Sequence, residues 1–301
     1  MYGNFSKSYF CKLFGKSRQA YYKQQEEETQ RTDLEEALVL KLVKEVRDEL
    51  PRCGTDKLYY MLQPSFMEHG IKIGRDALYR LLGNYGLLIR QRKRKPYTTD
   101  SNHPYRKYPN LIKEKVLTQA GELWVSDITY IRQVNGFSYL SIITDAYSHK
   151  IVGYKLHPTL HAEGAIDALQ MAVNDEKRTD KLIHHSDRGI QYCCADYVNM
   201  IEHYKIQLSM TEKGDPYENA IAERVNGILK NEFLLNKTFS SYNEAIPAVE
   251  VAIKKYNEVR VHDSCDRLTP LMAHEQKGVL KKLWKPKVYK HKIPEMQQRD
   301  G

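Results

Sequence analysis

The sequence is poor in cysteine and has no long apolar run. Its five cysteines are an odd number among 301 residues, and no Cys-x-x-Cys pair occurs. Nothing therefore indicates a disulfide framework, and a reducing cytoplasm fits this cysteine usage best. No apolar stretch approaches the roughly 18 residues that a membrane-spanning helix requires, and the first residues lack the apolar core of a signal peptide. We expect a cytoplasmic protein without a membrane partner.

Basic residues exceed acidic ones. The chain carries 47 Lys and Arg against 38 Asp and Glu, a net charge of +9, and 41% of its residues are hydrophobic. This composition predicts a globular protein with a proper core. The positive charge favours a polyanionic partner, most simply nucleic acid, although a soluble basic protein without such a partner is the alternative.

Changes in composition along the chain predict five segments. Residues 1–31 are a basic helical segment, residues 32–95 a helical DNA-binding domain, residues 96–119 a linker, residues 120–265 an α/β core, and residues 266–301 a basic tail. In the second segment Thr32 and Asp33 are expected to cap a helix that ends near Pro51. Short helices joined by tight turns favour a helix-turn-helix bundle, with an ordinary helical subdomain as the alternative.

Two basic stretches are candidate DNA contacts. Such stretches either lie along phosphates or are simply solvated. Residues 277–292 hold seven Lys and no acid, with Trp284 and Tyr289 between them, which suits DNA contact or a solvated terminus about equally. The other stretch, at the end of the helical domain, has five bases in six positions: Arg90, Arg92, Lys93, Arg94 and Lys95.

The core begins with strands and then alternates. A strand pattern over 122–134 is followed by Asn135-Gly136, a strong hairpin signal, and by strand patterns over 137–144 and 149–156. Helices and strands alternate after that, and two helices, from about 216 to 235 and from about 242 to 257, close the domain. This order predicts an α/β fold class: a ribonuclease-H-like mixed sheet preceded by a helical helix-turn-helix-like domain.

Three carboxylates are the candidate catalytic residues and metal ligands. Asp127 lies in the first strand pattern, Asp187 ends a later one, and Glu223 lies in a predicted helix. Two strand aspartates with a helical glutamate suit two hard divalent ions, which prefer oxygen ligands and promote phosphoryl transfer. Asp145 is a rival for this role, but it ends a strand where an aspartate commonly forms a turn. We interpret Asp145 as structural.

The helix that carries Glu223 is predicted to have two faces. The segment Asp215-Pro216-Tyr217-Glu218 has the pattern of a capped helix start. Helical spacing places Glu223 opposite an apolar stripe, with Asn219 and Lys230 on its own side and Asn226 at the edge. We expect Lys230, Asn226 and Asn219 to contact DNA. The apolar stripe consists of Ile221, Val225, Ile228 and Leu229.

A zinc site is a weaker alternative. His184 and His185 precede Cys193 and Cys194, but this spacing fits no standard zinc site. The other interpretation is that His185 forms a hydrogen bond near the carboxylates and that both cysteines are core residues.

Together these motifs resemble a known family. Residues 120–270 are similar to the retroviral-integrase-like core of bacterial insertion-sequence DDE transposases of the second-frame (OrfB) type, and residues 38–90 to the helical DNA-binding module that precedes it. The resemblance implies that Asp127, Asp187 and Glu223 bind two Mg²⁺ ions, for which Mn²⁺ can substitute. It implies cleavage of element ends, transfer of the 3′-hydroxyl to another DNA strand, a nucleoid-associated homo-oligomer on DNA and, as in many relatives, fusion to an upstream-frame product. The matching segments are 124–131, 185–192, 219–223, 229–232, 256–262 and 269–270.

Two positions depart from the family pattern. The family commonly has aspartate where this chain has Glu218, and serine where it has Arg224. We expect little loss of activity from either difference. Two other functions stay open: a structure-selective nuclease of the same fold, and a DNA-binding regulator with an inert core.

Overall fold

The computed structural model describes residues 6–89, 104–113, 115–175, 178–212 and 219–284. Contacts divide the chain into two compact units. The first takes Met1–Tyr97 together with Lys230–Leu234, and the second takes Thr98–Leu229 and Leu235–Gly301. Within the described ranges, no helix combines the length and the apolar character needed to cross a membrane.

The first unit is helical. It contains α1 (Lys7–Leu13), α2 (Arg18–Glu49), α3 (Thr55–Glu68) and α4 (Arg75–Asn84). The C-terminal half of α2 packs against α3, and α3 packs against α4. The predicted helical region in front of the sheet is therefore present. Its buried side chains include Val39, Val43, Leu58, Leu62, Phe66, Leu78 and Leu82.

The predicted helix cap at Thr32 and Asp33 is wrong, because α2 already begins at Arg18. The cap is Ser17, whose Oγ accepts a hydrogen bond from the Ala20 amide at 3.1 Å. Beyond it, long unbranched side chains with high helix propensity carry the helix through the polar run after Tyr22. The boundary expected between residues 31 and 32 therefore falls inside a continuous helix.

The second unit is built on a five-stranded mixed sheet. Its strands are β1 (Leu123–Gln133), β2 (Gly136–Asp145), β3 (Ile151–His157), β4 (Ile183–Ser186) and β5 (Gln207–Met210). The spatial order is β3-β2-β1-β4-β5. The first three strands are antiparallel to their neighbours, while β4 runs parallel to β1 and β5 parallel to β4. This sheet confirms the predicted ribonuclease-H-like α/β fold.

Helices cover both faces of the sheet. They are α5 (Glu163–Asp175), α6 (Ile190–Cys193), α7 (Ala195–His203), α8 (Ala220–Asn231), α9 (Tyr242–Glu258) and α10 (Pro270–His274), with a 3-10 turn at Asp263–Cys265. The predicted start of α8, residues 215–218, lies outside the described residues.

Alternation along β1 directs its side chains to two different layers. Trp124 packs in a core cluster with Leu169 of α5 and Tyr197 of α7. Leu123 and Val125 pack in another cluster with Ala222 of α8. Because every second residue of a strand shares a face, Asp127 lies on the same face as Leu123 and Val125, towards α8.

The chain after residue 265 continues the fold of the second unit. The Gly278 amide donates to the Thr118 carbonyl at 2.7 Å, and the Leu283 amide donates to the Asp263 carbonyl at 2.8 Å. Residues 266–284 of the predicted tail are therefore attached to the core by backbone hydrogen bonds. Its remaining residues, including Tyr289, lie outside the described part of the chain.

Candidate active site

The first candidate, Asp127, lies in the middle of β1 and is partly buried. Its Oδ1 accepts a hydrogen bond from the Ile128 amide at 2.9 Å, and its Oδ2 accepts one from Asn226 Nδ2 at 2.8 Å. Both carboxylate oxygens thus have a fixed donor. The side chain is held in one orientation on the face that α8 covers.

Parallel pairing brings the second candidate, Asp187, next to Asp127. Val125 of β1 is paired with His185 of β4, and each aspartate follows its paired residue by two positions. Because the strands run in the same direction, both aspartates lie at the same level along the two strands and on the same face of the sheet. The sequence placed each aspartate in or at the end of a strand pattern, and the register adds that the two lie close together.

The backbone after β4 holds the Asp187 carboxylate. The Gly189 amide donates to Asp187 Oδ1 at 2.9 Å. A Cβ atom at position 189 would lie only 2.9 Å from that same oxygen, closer than such atoms normally approach. Glycine therefore lets the backbone come close enough to bind and orient the carboxylate.

The third candidate, Glu223, comes from the first turn of α8 and is exposed. Its amide donates to the Asn219 carbonyl at 3.1 Å, which forms the start of the helix. The apolar side of α8 is buried through Val225, Ile228 and Leu229. The exposure of Glu223 and the burial of the apolar stripe agree with the prediction, but the side of α8 that contacts β1 carries Asn219 and Asn226 instead of that stripe.

Asp127 is affected by burial and by the charges of the other two carboxylates. Burial raises the pKa of Asp127 from 3.8 to about 7, and the charges of Asp187 and Glu223 contribute in the same direction. The bonds from Asn226 and Ile128 oppose that shift. Desolvation also raises the pKa of Glu223. The result is a concentration of negative charge that a cation would relieve.

The three carboxylates have the right chemistry for a hard cation, but their oxygens do not all converge on one position. All three side chains offer carboxylate oxygens, the ligands that Mg²⁺ prefers. Within the described ranges, no group of three or more His, Cys, Asp or Glu side chains is close enough to hold a metal ion. Glu223 is the exposed member of the three, so its side chain is the one with freedom to rotate towards the aspartates.

The structure places Asn219 and Asn226 differently from the solvent-facing groups expected to contact DNA. Both are more than nine-tenths buried. Asn219 Nδ2 donates to the Ser126 carbonyl at 3.0 Å, and Asn226 Nδ2 donates to Asp127. Their amides thus bind β1. This contact was not predicted from the sequence, although the seven-residue spacing of the two amides already placed them on one side of a helix.

The other predicted DNA contacts are partly outside the described chain. Lys230 is half-buried in the last turn of α8. The basic stretch Arg90, Arg92, Lys93, Arg94 and Lys95 lies outside the described residues.

Asp145 is a buried turn residue. Its Oδ1 accepts hydrogen bonds from the amides of Tyr147 and Ser148 and from Ser148 Oγ, and its Oδ2 accepts one from the Gly121 amide at 2.8 Å. Burial raises its pKa despite these bonds. Its Oδ1 serves the turn between β2 and β3 and its Oδ2 binds the segment before β1, which agrees with the structural interpretation.

Both histidines and Cys193 are buried, whereas Cys194 is half-buried. His184 is buried, its Nε2 lies 2.6 Å from Ser126 Oγ and 2.9 Å from Tyr197 Oη, and burial lowers its pKa to about 3. His185 Nδ1 lies 2.9 Å from Ser209 Oγ. Cys193 Sγ is 3.7 Å from Met210 Sδ. These contacts favour the core interpretation over a zinc site.

Comparison with known proteins gives the chain a family. The family model described as "Integrase core domain" matches residues 118–216, and a second model of that description matches residues 204–270. The insertion element IS600 uncharacterized 31 kDa protein of Shigella sonnei is 36% identical over 270 residues, which cover 88% of this chain and 97% of that protein. Transposase InsF for insertion sequence IS3A of Escherichia coli is 35% identical over 173 residues. The aligned residues cover 55% of this chain and 60% of that transposase.

Among solved structures, the simian T-cell lymphotropic virus intasome in complex with PP2A regulatory subunit B56 gamma matches with a TM-score of 0.47. The match has 19% identity and covers 80% of this chain and 78% of that chain. The family itself is shown by the sequence relatives and the core-domain models. This chain belongs to the insertion-sequence transposases that carry an integrase core domain.

Proposed function

We propose that this protein is the DNA transposase of an insertion sequence. It cleaves the ends of the element and transfers the resulting 3′-hydroxyl to another DNA strand. The observation that carries the proposal is the register of β1 and β4, which sets Asp127 beside Asp187 on the face covered by the helix of Glu223. Family membership supplies the reaction class.

The three carboxylates are proposed to hold two Mg²⁺ ions, which Mn²⁺ can replace. When bound, the ions lower the pKa of an attacking water or hydroxyl and offset the charge on the phosphate and the leaving oxygen. The protein contributes the fixed part of this arrangement. Hydrogen bonds hold Asp127 on β1 and Asp187 directly after β4, whereas Glu223 approaches from α8 with an exposed side chain.

DNA binding is proposed to use the basic residues around the core. Lys230 lies two helical turns from Glu223 on α8, a position suited to neutralising a DNA phosphate. The basic stretch at residues 90–95 would grip phosphates without reading bases. Since a transposase must join two element ends, we further propose a homo-oligomer on DNA, with an upstream-frame product as its fusion partner.

The proposal is tested with labelled DNA carrying the inverted repeats of the element that encodes this chain. Wild type is compared with Glu223→Gln, with and without Mg²⁺ or Mn²⁺. We expect metal-dependent 3′-end cleavage and strand joining, reduced more than about 100-fold in Glu223→Gln because a metal ligand is lost. Glu202→Gln, a change at an exposed glutamate of α7, is the matched control and should cut and join as wild type does.

The outcomes separate the competing functions. Cleavage without joining would identify a nuclease of the same fold. Binding of the ends without either reaction, even with the upstream-frame product supplied, would contradict the transposase proposal and favour a DNA-binding regulator.

A further inference from the structure

Two buried amides connect α8 to β1. Asn219 immediately precedes α8, and Asn226 lies seven residues later, so two helical turns place them on the same side. They donate to consecutive residues of the strand: Asn219 to the Ser126 carbonyl at 3.0 Å and Asn226 to Asp127 Oδ2 at 2.8 Å. These two hydrogen bonds fix the position of α8 relative to β1, the strand that carries Asp127.

Glu223 lies between the two amides on the same helix. It follows Asn219 by four residues and precedes Asn226 by three. Any sliding of α8 along β1 would break at least one of the two hydrogen bonds. The amide pair therefore fixes where the Glu223 backbone lies relative to Asp127.

The chemistry of an amide suits a residue that orients a metal ligand. A lysine or arginine at position 226 would bind Asp127 more strongly, but its charge would compete with a cation for the carboxylate. A neutral amide orients the carboxylate and leaves its full negative charge available. Hydrogen-bond donors to ligating carboxylates commonly have this role.

The amides also carry a cost that a purely structural residue would avoid. The Oδ1 atoms of both Asn219 and Asn226 are buried, and the described residues offer them no hydrogen-bond donor. An unsatisfied buried acceptor lowers stability by about 1–3 kcal/mol. A leucine of similar shape would lack this cost, so the amide at position 226 is better explained by what its Nδ2 does for Asp127.

We propose that Asn226 is a positioning residue for the metal-ligating carboxylate of Asp127, and that Asn219 sets the register of α8 that brings Glu223 to it. The inference rests on the proposed function, since it assigns these amides to the same metal site. It differs from the expected DNA contact, because both donors face β1.

The test measures metal binding to the full chain without DNA. Free Mn²⁺ is followed by electron paramagnetic resonance during titration of wild type, Asn226→Leu and Asn226→Ala. We expect both variants to remain folded by circular dichroism and to bind Mn²⁺ about tenfold more weakly. The Mg²⁺ concentration that gives half-maximal end cleavage should rise by a similar factor, while the rate at saturating Mg²⁺ changes less.

Asn257→Leu is the matched control. Asn257 lies in α9 and also binds the sheet with its amide, accepting from the Ile151 amide and donating to the Ile151 carbonyl, both at 2.9 Å. Its loss should lower the melting temperature and leave Mn²⁺ affinity unchanged. A merely structural amide at position 226 would behave in the same way.

The possible results are distinct. Wild-type Mn²⁺ affinity in folded Asn226→Leu or Asn226→Ala would overturn the inference and leave the proposed function intact. Equal weakening in Asn257→Leu would overturn it too, since the effect would then be general. Absence of saturable Mn²⁺ binding and of end cleavage in wild type would overturn the proposed function, and the inference with it.

Discussion

At the scale of single residues, the electrostatics of Asp127 make a prediction about the metal-free protein. The pKa of this carboxyl is about 7 in the folded chain, above its ordinary value of 3.8. The folded state therefore binds more protons than the unfolded state between about pH 4 and pH 7. The free energy of unfolding should fall as pH rises through that window and level off above it.

Asp127→Asn should remove this contribution. Without metal, we expect the variant to be more stable than wild type above pH 7, by about 1–3 kcal/mol once partial exposure of the carboxyl is considered. Urea unfolding at several pH values in the presence of a chelator measures the difference. Saturating Mg²⁺ provides the control, because it should stabilise wild type and not the variant. A variant that is less stable at every pH would contradict the prediction.

The sequence predicted the elements of the three candidate carboxylates but not what holds their side chains. The strand position of Asp127, the strand-end position of Asp187 and the helical position of Glu223 were readable from the pattern. The bond from Asn226 to Asp127 could not, because it joins residues far apart in the chain and depends on how α8 lies on β1. Helical spacing placed Asn226 at the edge of the exposed face, where a small rotation of the helix decides between solvent and strand.

At the scale of elements, close packing of β3 on α5 depends on Gly153. A Cβ atom there would lie 2.1 Å from the Ala168 carbonyl oxygen and 2.9 Å from the Ala172 Cβ. Both contacts are with the body of α5, which cannot move aside as a flexible side chain can. The helix would have to shift away from the sheet.

Gly153→Ala should therefore destabilise the second unit. We expect the free energy of unfolding to fall by about 3 kcal/mol, as measured by thermal or urea denaturation. Gly227→Ala in α8 is the control, since its Cβ would meet nothing within 4 Å. Alanine at that helical position should raise stability by about 0.5–1 kcal/mol. Equal effects of the two changes would show that the β3–α5 contact is not tight.

Elements with strong local signals were predicted well, and one with a weak signal was not. The hairpin at Asn135-Gly136 joins β1 and β2 as expected, with Gly136 at a φ of 124°. By contrast, the polar run before Thr32 has no apolar periodicity, and its continuation as α2 depends on helix propensity and on pairs such as Arg31–Glu35 at 3.1 Å. A polar helix and a linker have similar compositions, so sequence alone could not separate them.

At the scale of the whole molecule, the net charge of +9 leads us to expect that the proposed DNA binding is sensitive to salt. Each phosphate neutralised on duplex DNA adds about 0.9 to the slope of log affinity against log salt concentration. The five bases within residues 90–95 are concentrated and contain no acid among them. They should therefore account for a large share of the slope if they lie along the DNA backbone.

The contribution of this stretch to the salt dependence is tested by replacing its five bases with glutamine: Arg90, Arg92, Lys93, Arg94 and Lys95. We expect the slope to become shallower by up to about 4, and affinity at low salt to fall for cognate and unrelated duplexes alike, because phosphate contacts carry no sequence information. Fluorescence anisotropy between 50 and 200 mM salt gives both quantities. Binding through several phosphate contacts weakens by orders of magnitude between these two concentrations.

Three bases of α2 offer a matched control for the effect of net charge alone. Each already has an acidic partner one helical turn away: Arg31 with Glu35, Lys41 with Glu45, and Lys44 with Asp48. Replacing the three bases with glutamine lowers the net charge by three. Because each base is already paired with an acid, we expect the slope of log affinity against log salt concentration to change by less than about 1. A comparable change in both variants would mean that overall charge, and not the stretch at 90–95, determines the affinity for DNA.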